Sequence, residues 1–62
     1  MREFLITFDQ LGHEGLYVLV QGDLYLMHKI RKAMTDADCR IKHCYELLET
    51  GERIEIHFNK RY

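Results

Sequence analysis

The connection between residues 8 and 16 limits what this chain can fold into more than any other feature. Two runs rich in aromatic and β-branched side chains flank it. One is residues 2–8, Arg-Glu-Phe-Leu-Ile-Thr-Phe, and the other is residues 16–21, Leu-Tyr-Val-Leu-Val-Gln. Such runs favour strands. The residues between them, 9–15, hold two glycines and read as a hairpin loop. A parallel crossover needs a dozen or more residues, so the two strands must pair antiparallel. Side chains alternate along a strand, which places Phe4, Ile6 and Phe8 on one face with Leu16, Val18 and Val20. The opposite face still carries Leu5, Tyr17 and Leu19, interrupted by Thr7 and Gln21.

Gly22 ends the second strand, and Asp23 offers a carboxylate to the free amides of a first helical turn. Residues 24–34 are mostly good helix formers. Leu26, Met27, Ile30, Ala33 and Met34 fall on one arc, and Tyr25, His28, Lys29 and Lys32 on the other. Residues 36–50 admit two readings. As a strand from Cys39, they put Cys39, Ile41, His43, Tyr45 and Leu47 on one face. As a helix, they put Ala37, Ile41, Cys44, Tyr45 and Leu48 on one stripe, with Thr35 and Asp38 as a cap and Gly51 as a stop. Glu46 and Glu49 would oppose the dipole of that helix, which favours the strand. A last strand follows at 53–59, with Ile54, Ile56 and Phe58 facing in and Arg53, Glu55, His57 and Asn59 facing out. In the competing version, Gln21–Leu24 is a tight turn, 24–30 is a third strand and 36–50 is the helix. The predicted fold is a single α+β domain over residues 1–62. It has a small antiparallel sheet of about four strands in ββαββ order, with one helix packed on one face.

A chain of 62 residues buries only ~60% of its unfolded surface and has a thin core. Such domains gain from a staple or a partner chain. Cys39 and Cys44 make a poor disulfide framework, and neither a secretory leader nor a membrane span is evident. A reducing, cytoplasmic setting is therefore expected. The net charge of −1 argues against both a general nucleic-acid binder and an acidic nucleic-acid mimic. The charge is uneven, however. Residues 28–43 hold Lys29, Arg31, Lys32, Arg40 and Lys42 against Asp36 and Asp38.

Four chemistries can be weighed. Cys39, His43, Cys44 and His57 are zinc-type ligands, but their spacing fits no paired-cysteine knuckle, so no metal or other cofactor is expected. No phosphate loop, nucleophile elbow or His-Glu-x-x-His pair is present, and a chain this short offers little concavity, so no enzyme is expected. A nucleic-acid face would use Tyr25, His28, Lys29 and Lys32 of the helix with Arg40 and Lys42 of the next strand. The stronger expectation is protein binding, to another protein or to itself as a homodimer. Leu5, Thr7, Tyr17 and Leu19 would form the interface, because one helix can cover only one side of the sheet. Acidic Glu14, Glu46, Glu49, Glu52 and Glu55 would form a second, charged side.

The hairpin–helix–strand order over most of the chain is similar to that of small bacteriophage proteins that inhibit host enzymes, such as the phage inhibitor of bacterial RNA polymerase. The similarity is one of layout, and no individual residue carries it. It implies a regulatory or inhibitory accessory protein that binds a host enzyme in the host cytoplasm.

Overall fold

The first two apolar runs pair in the register that their alternation demands. In the computed structural model, which describes residues 2–57, β1 (Arg2–Gln10) and β2 (His13–Gly22) form an antiparallel hairpin. Phe4 sits opposite Val20, Leu5 opposite Leu19, Ile6 opposite Val18 and Thr7 opposite Tyr17. Both strands run further than the pattern predicts and leave only Leu11 and Gly12 as the turn. A bulge makes this possible: Glu14 and Gly15 together oppose Asp9. Gly15 adopts φ 70, and its N–H donates to Asp9 Oδ1 at 3.0 Å.

Helix α1 (Leu24–Asp36) starts where Asp23 was expected to cap it. The Asp23 carboxylate accepts from the Leu26 N–H at 2.8 Å. The helix ends in a double hydrogen-bonded cap. Cys39 N–H donates to Met34 C=O at 3.0 Å and Asp38 N–H to Thr35 C=O at 3.1 Å. Asp38 takes the left-handed conformation, φ 65, that glycine usually supplies at this position. Its short polar side chain makes Asp one of the few types that tolerate it. Asp38 thus terminates α1, and the chain reverses into β3 (Arg40–Leu47). The strand reading of this segment stands. After a turn, β4 (Arg53–Glu55) completes a four-stranded sheet in the order β2-β1-β3-β4, antiparallel throughout.

The core lies between the sheet and α1. Phe4, Ile6, Val20, Met27 and Cys44 are buried, and Val18, Ile30, Met34, Ile41 and Ile56 pack around them. Cys44 Sγ donates to Met27 Sδ at 3.5 Å, and burial pushes the Cys44 thiol up in pKa. The helix buries a narrower stripe than its sequence suggests. Leu26 and Ala33 remain exposed because Met27, Ile30 and Met34 alone span the contact line.

Two further departures concern the C-terminal half. Thr7 pairs with His43, yet Phe8 pairs with Ile41, so Lys42 is an extra residue in β3. One inserted residue reverses the alternation. The stripe predicted from Cys39 to Leu47 therefore divides. Ile41 packs with Cys44 against the helix side, while His43, Tyr45 and Leu47 turn to the other side. The last strand is also shorter than residues 53–59. It spans Arg53–Glu55, and Ile54 is exposed rather than buried. Phe58 and Asn59 lie outside the described residues.

Candidate functional site

With α1 on one face, the other face of the sheet has no covering element among the described residues. The registers arrange its side chains in three rows across the strands. One row holds Tyr17, Thr7 and His43. The middle row holds Leu19, Leu5, Tyr45 and Glu55. The third holds Gln21, Glu3, Leu47 and Arg53. The sequence-predicted set Leu5, Thr7, Tyr17 and Leu19 is thus brought together as two directly opposed cross-strand pairs. Tyr17 is 67% exposed and Leu19 51% exposed, while Leu5 and Thr7 are half-buried between their neighbours.

His43, Tyr45 and Leu47 of β3 complete this face, which regular alternation from Cys39 does not predict. The only hint in the sequence is that Ile41 and Cys44, both apolar, are an odd number of residues apart; two core positions on one regular strand are an even number apart.

Polar contacts hold the face in shape. The His43 ring stacks on Tyr45, with centroids 5.8 Å apart and planes at 25°. The Arg53 guanidinium lies over the Tyr45 ring, 4.7 Å from its centroid. His43 Nδ1 is 2.9 Å from Glu55 Oε2, and this hydrogen bond holds the Glu55 carboxyl below the usual carboxylate range. Thr7 Oγ1 accepts from the His43 backbone N–H at 3.1 Å, and Gln21 Nε2 donates to Glu3 Oε2 at 3.3 Å. Between β1, β2 and β3 lies a shallow depression of about 330 Å³, lined by Leu5, Thr7, Leu16, Tyr17, Lys42 and His43 among others. The face has an apolar, aromatic centre and a rim of mixed charge.

The basic set is not assembled in this way. Tyr25, His28, Lys29 and Lys32 are exposed on α1, with Lys29 Nζ 5.5 Å from the Tyr25 ring centroid and Lys32 3.9 Å from Asp36. Arg40 sits at the end of the sheet, beside Asp9, Asp38 and the β1–β2 turn. Lys42, displaced by the bulge, reaches the open face and lies 3.9 Å from Asp9. The sheet therefore stands between the helix residues and Lys42. The acidic set is dispersed as well. Glu14 is at the β1–β2 turn, while Glu49 and Glu52 lie around the β3–β4 turn at the opposite end of the strands. Glu46 forms a two-point contact with Arg2 at 2.8 and 2.9 Å, which lowers its pKa.

The zinc-type residues also separate, with Cys44 in the core and His43 on the open face. Among the described residues no group of three or more His, Cys, Asp or Glu side chains is placed to hold a metal ion. No described helix is long and apolar enough to cross a membrane. Fold and surface together define a small α+β sheet protein with one covered and one open face. Comparison with family models, curated proteins and solved structures finds no match.

Proposed function

We propose that this chain is a small regulatory or inhibitory protein that acts by binding another protein on the open face of its sheet. The observation that carries this reading is the uncovered middle of that face, where Leu19, Leu5 and Tyr45 form a continuous row beside Tyr17. Contiguous exposed apolar groups with tyrosines are the usual mark of a binding surface. A dry aromatic centre ringed by charges is the usual anatomy of an interface. Here Glu3, Lys42, Arg53 and Glu55 supply the ring. Tyrosine also loses little side-chain freedom on binding, which makes Tyr17 and Tyr45 good anchors.

The test is photo-crosslinking from position 17 in cells of the source, followed by binding of the identified protein to the native chain and to Tyr17→Glu and Tyr45→Glu. Loss of at least about tenfold in affinity, with an unchanged circular dichroism spectrum, is expected for each. Unaltered affinity in both variants would refute the reading. The competing reading, a nucleic-acid module on the helix face, draws on Tyr25 beside Lys29. It has weaker support, because Lys32 and Lys42 already face Asp36 and Asp9. Salt-sensitive binding of DNA or RNA that is lost in Lys29→Glu would favour it instead.

A further inference from the structure

The free edge of β2 carries an argument that does not depend on the open face. Backbone groups in an antiparallel sheet alternate in direction along each strand. Ile56 N–H donates to Cys44 C=O at 2.7 Å, and Leu48 N–H donates to Glu52 C=O at 2.8 Å. Cys44 and Leu48 therefore turn their backbone groups toward β4, and Tyr45 turns toward β1. Through the registers of Leu5 with Tyr45 and Leu19, the same alternation passes to β1 and β2. Phe4 and Ile6 bond to Val20 and Val18. Tyr17, Leu19 and Gln21 then direct their N–H and C=O groups away from the sheet. Among the described residues β2 has no strand on that side.

Exposed edges are normally blunted by shortness, lysine, proline or a bulge. The other edge follows this rule, since β4 is three residues long and two of them are charged. β2 does not. It is ten residues long and contains no lysine, arginine or proline. Its bulge lies at Glu14–Gly15, close to the turn, which leaves Leu16–Gly22 regular. This regular stretch is centred on Leu19, one of the residues whose backbone groups point outward.

We infer that two copies of this chain pair antiparallel along β2, about a two-fold axis at Leu19. Leu19 then faces Leu19, and Tyr17 faces Gln21 on either side. Each such pair exchanges two backbone hydrogen bonds, so every outward-directed group between residues 17 and 21 is satisfied. On the helix side Val18 meets Val20, which extends the apolar core across the junction. The two-fold axis is perpendicular to the sheet, so both helices lie on one side and both open faces on the other. The contact is isologous and closes on itself, so it stops at two copies. Strand addition of this kind draws its affinity from the backbone and its register from alternate side chains.

The experiment is light scattering and sedimentation of the full chain, in reducing buffer, over a range of concentrations. A particle of twice the 7.5 kDa chain mass is expected. Leu19→Lys sets two like charges face to face at the axis and is expected to give the single-chain mass. Tyr45→Gln, on the open face away from the edge, is expected to leave the double mass intact. In a Cys39→Ser background, oxidised Leu19→Cys is expected to form a disulfide-linked pair, whereas Gln21→Cys is not, because its counterpart is Tyr17. This crosslinking test decides the matter even if Leu19→Lys fails to fold. A single-chain mass at every concentration overturns the inference. So does a double mass that persists in Leu19→Lys, one that disappears in Tyr45→Gln, or crosslinking by Gln21→Cys in preference to Leu19→Cys.

Discussion

Met27 is the one fully buried side chain of α1, and its replacement by alanine tests the packing of the whole molecule. Its sulfur meets Cys44 Sγ at 3.5 Å, in a core that also contains Phe4, Ile6 and Val20. Truncating a buried methionine costs about 2–5 kcal/mol, depending on how far the site collapses. Ile30 and Met34 flank it and are only partly buried, so some collapse is available; about 3 kcal/mol is expected. Leu26, the preceding residue, is 39% exposed, and its truncation is expected to cost about 1 kcal/mol. A domain of this size has a total stability of roughly 3–9 kcal/mol. Met27→Ala thus removes a third of the stability or more. Urea unfolding followed by circular dichroism reads the difference. With a slope near ~1 kcal/mol/M, the midpoint falls by about 3 M for Met27→Ala and by about 1 M for Leu26→Ala. Met27→Leu conserves volume and is expected to cost less than about 1.5 kcal/mol. All chains are compared at one concentration, because self-association would raise apparent stability. Equal losses for Met27→Ala and Leu26→Ala would refute the placement of the helix.

Two further outcomes are expected. Asp23→Ala removes the acceptor of the Leu26 N–H and is expected to cost about 1 kcal/mol in the same urea assay, with Asp23→Asn close to native. Glu46 and Glu55 are held below the usual carboxylate range by hydrogen bonds from Arg2 and His43. A lowered carboxyl adds stability that is present above its unfolded pKa and is lost as pH falls through the folded one. The urea midpoint is therefore expected to drop as the pH is taken from about 6 to about 3, and Glu46→Gln with Glu55→Gln to flatten that drop. An undiminished slope in the double variant would refute the assignment.

The parts of the fold that depend on local rules were legible in the sequence. The first hairpin follows from alternation and a short connection, and the helix start follows from Asp23. The alternation of the hairpin also places Leu5, Thr7, Tyr17 and Leu19 together on one face, as the registers have them. What escaped was nonlocal or aperiodic. A bulge at Lys42 shows in a pattern of period two only as the odd spacing of Ile41 and Cys44, and it places Tyr45 and His43 on the open face. The central place of β1 depends on its pairing with β3, which no turn encodes. The grouping of Arg40 and Lys42 with the helix lysines assumed a common side, and the sheet separates them. Asp38 in the left-handed region was hidden because the sequence offers an aspartate where glycine is the usual sign.

The central position of β1 also sets the order in which contacts can form. Its pairing with β2 joins residues such as Phe8 and Leu16, close neighbours along the chain, and hairpins of that kind close in microseconds. Its pairing with β3 joins Leu5 to Tyr45 and encloses all of β2 and α1. The entropy of closing that long loop is lowered once the hairpin and helix have formed, because fewer free links then separate the two strands. Closure between β1 and β3 is thus the slow, nonlocal step expected to govern the folding rate. Substitutions along that seam, at Ile6 or Cys44, are the ones expected to slow folding, whereas changes at Ile54 in the short outer strand should mainly hasten unfolding.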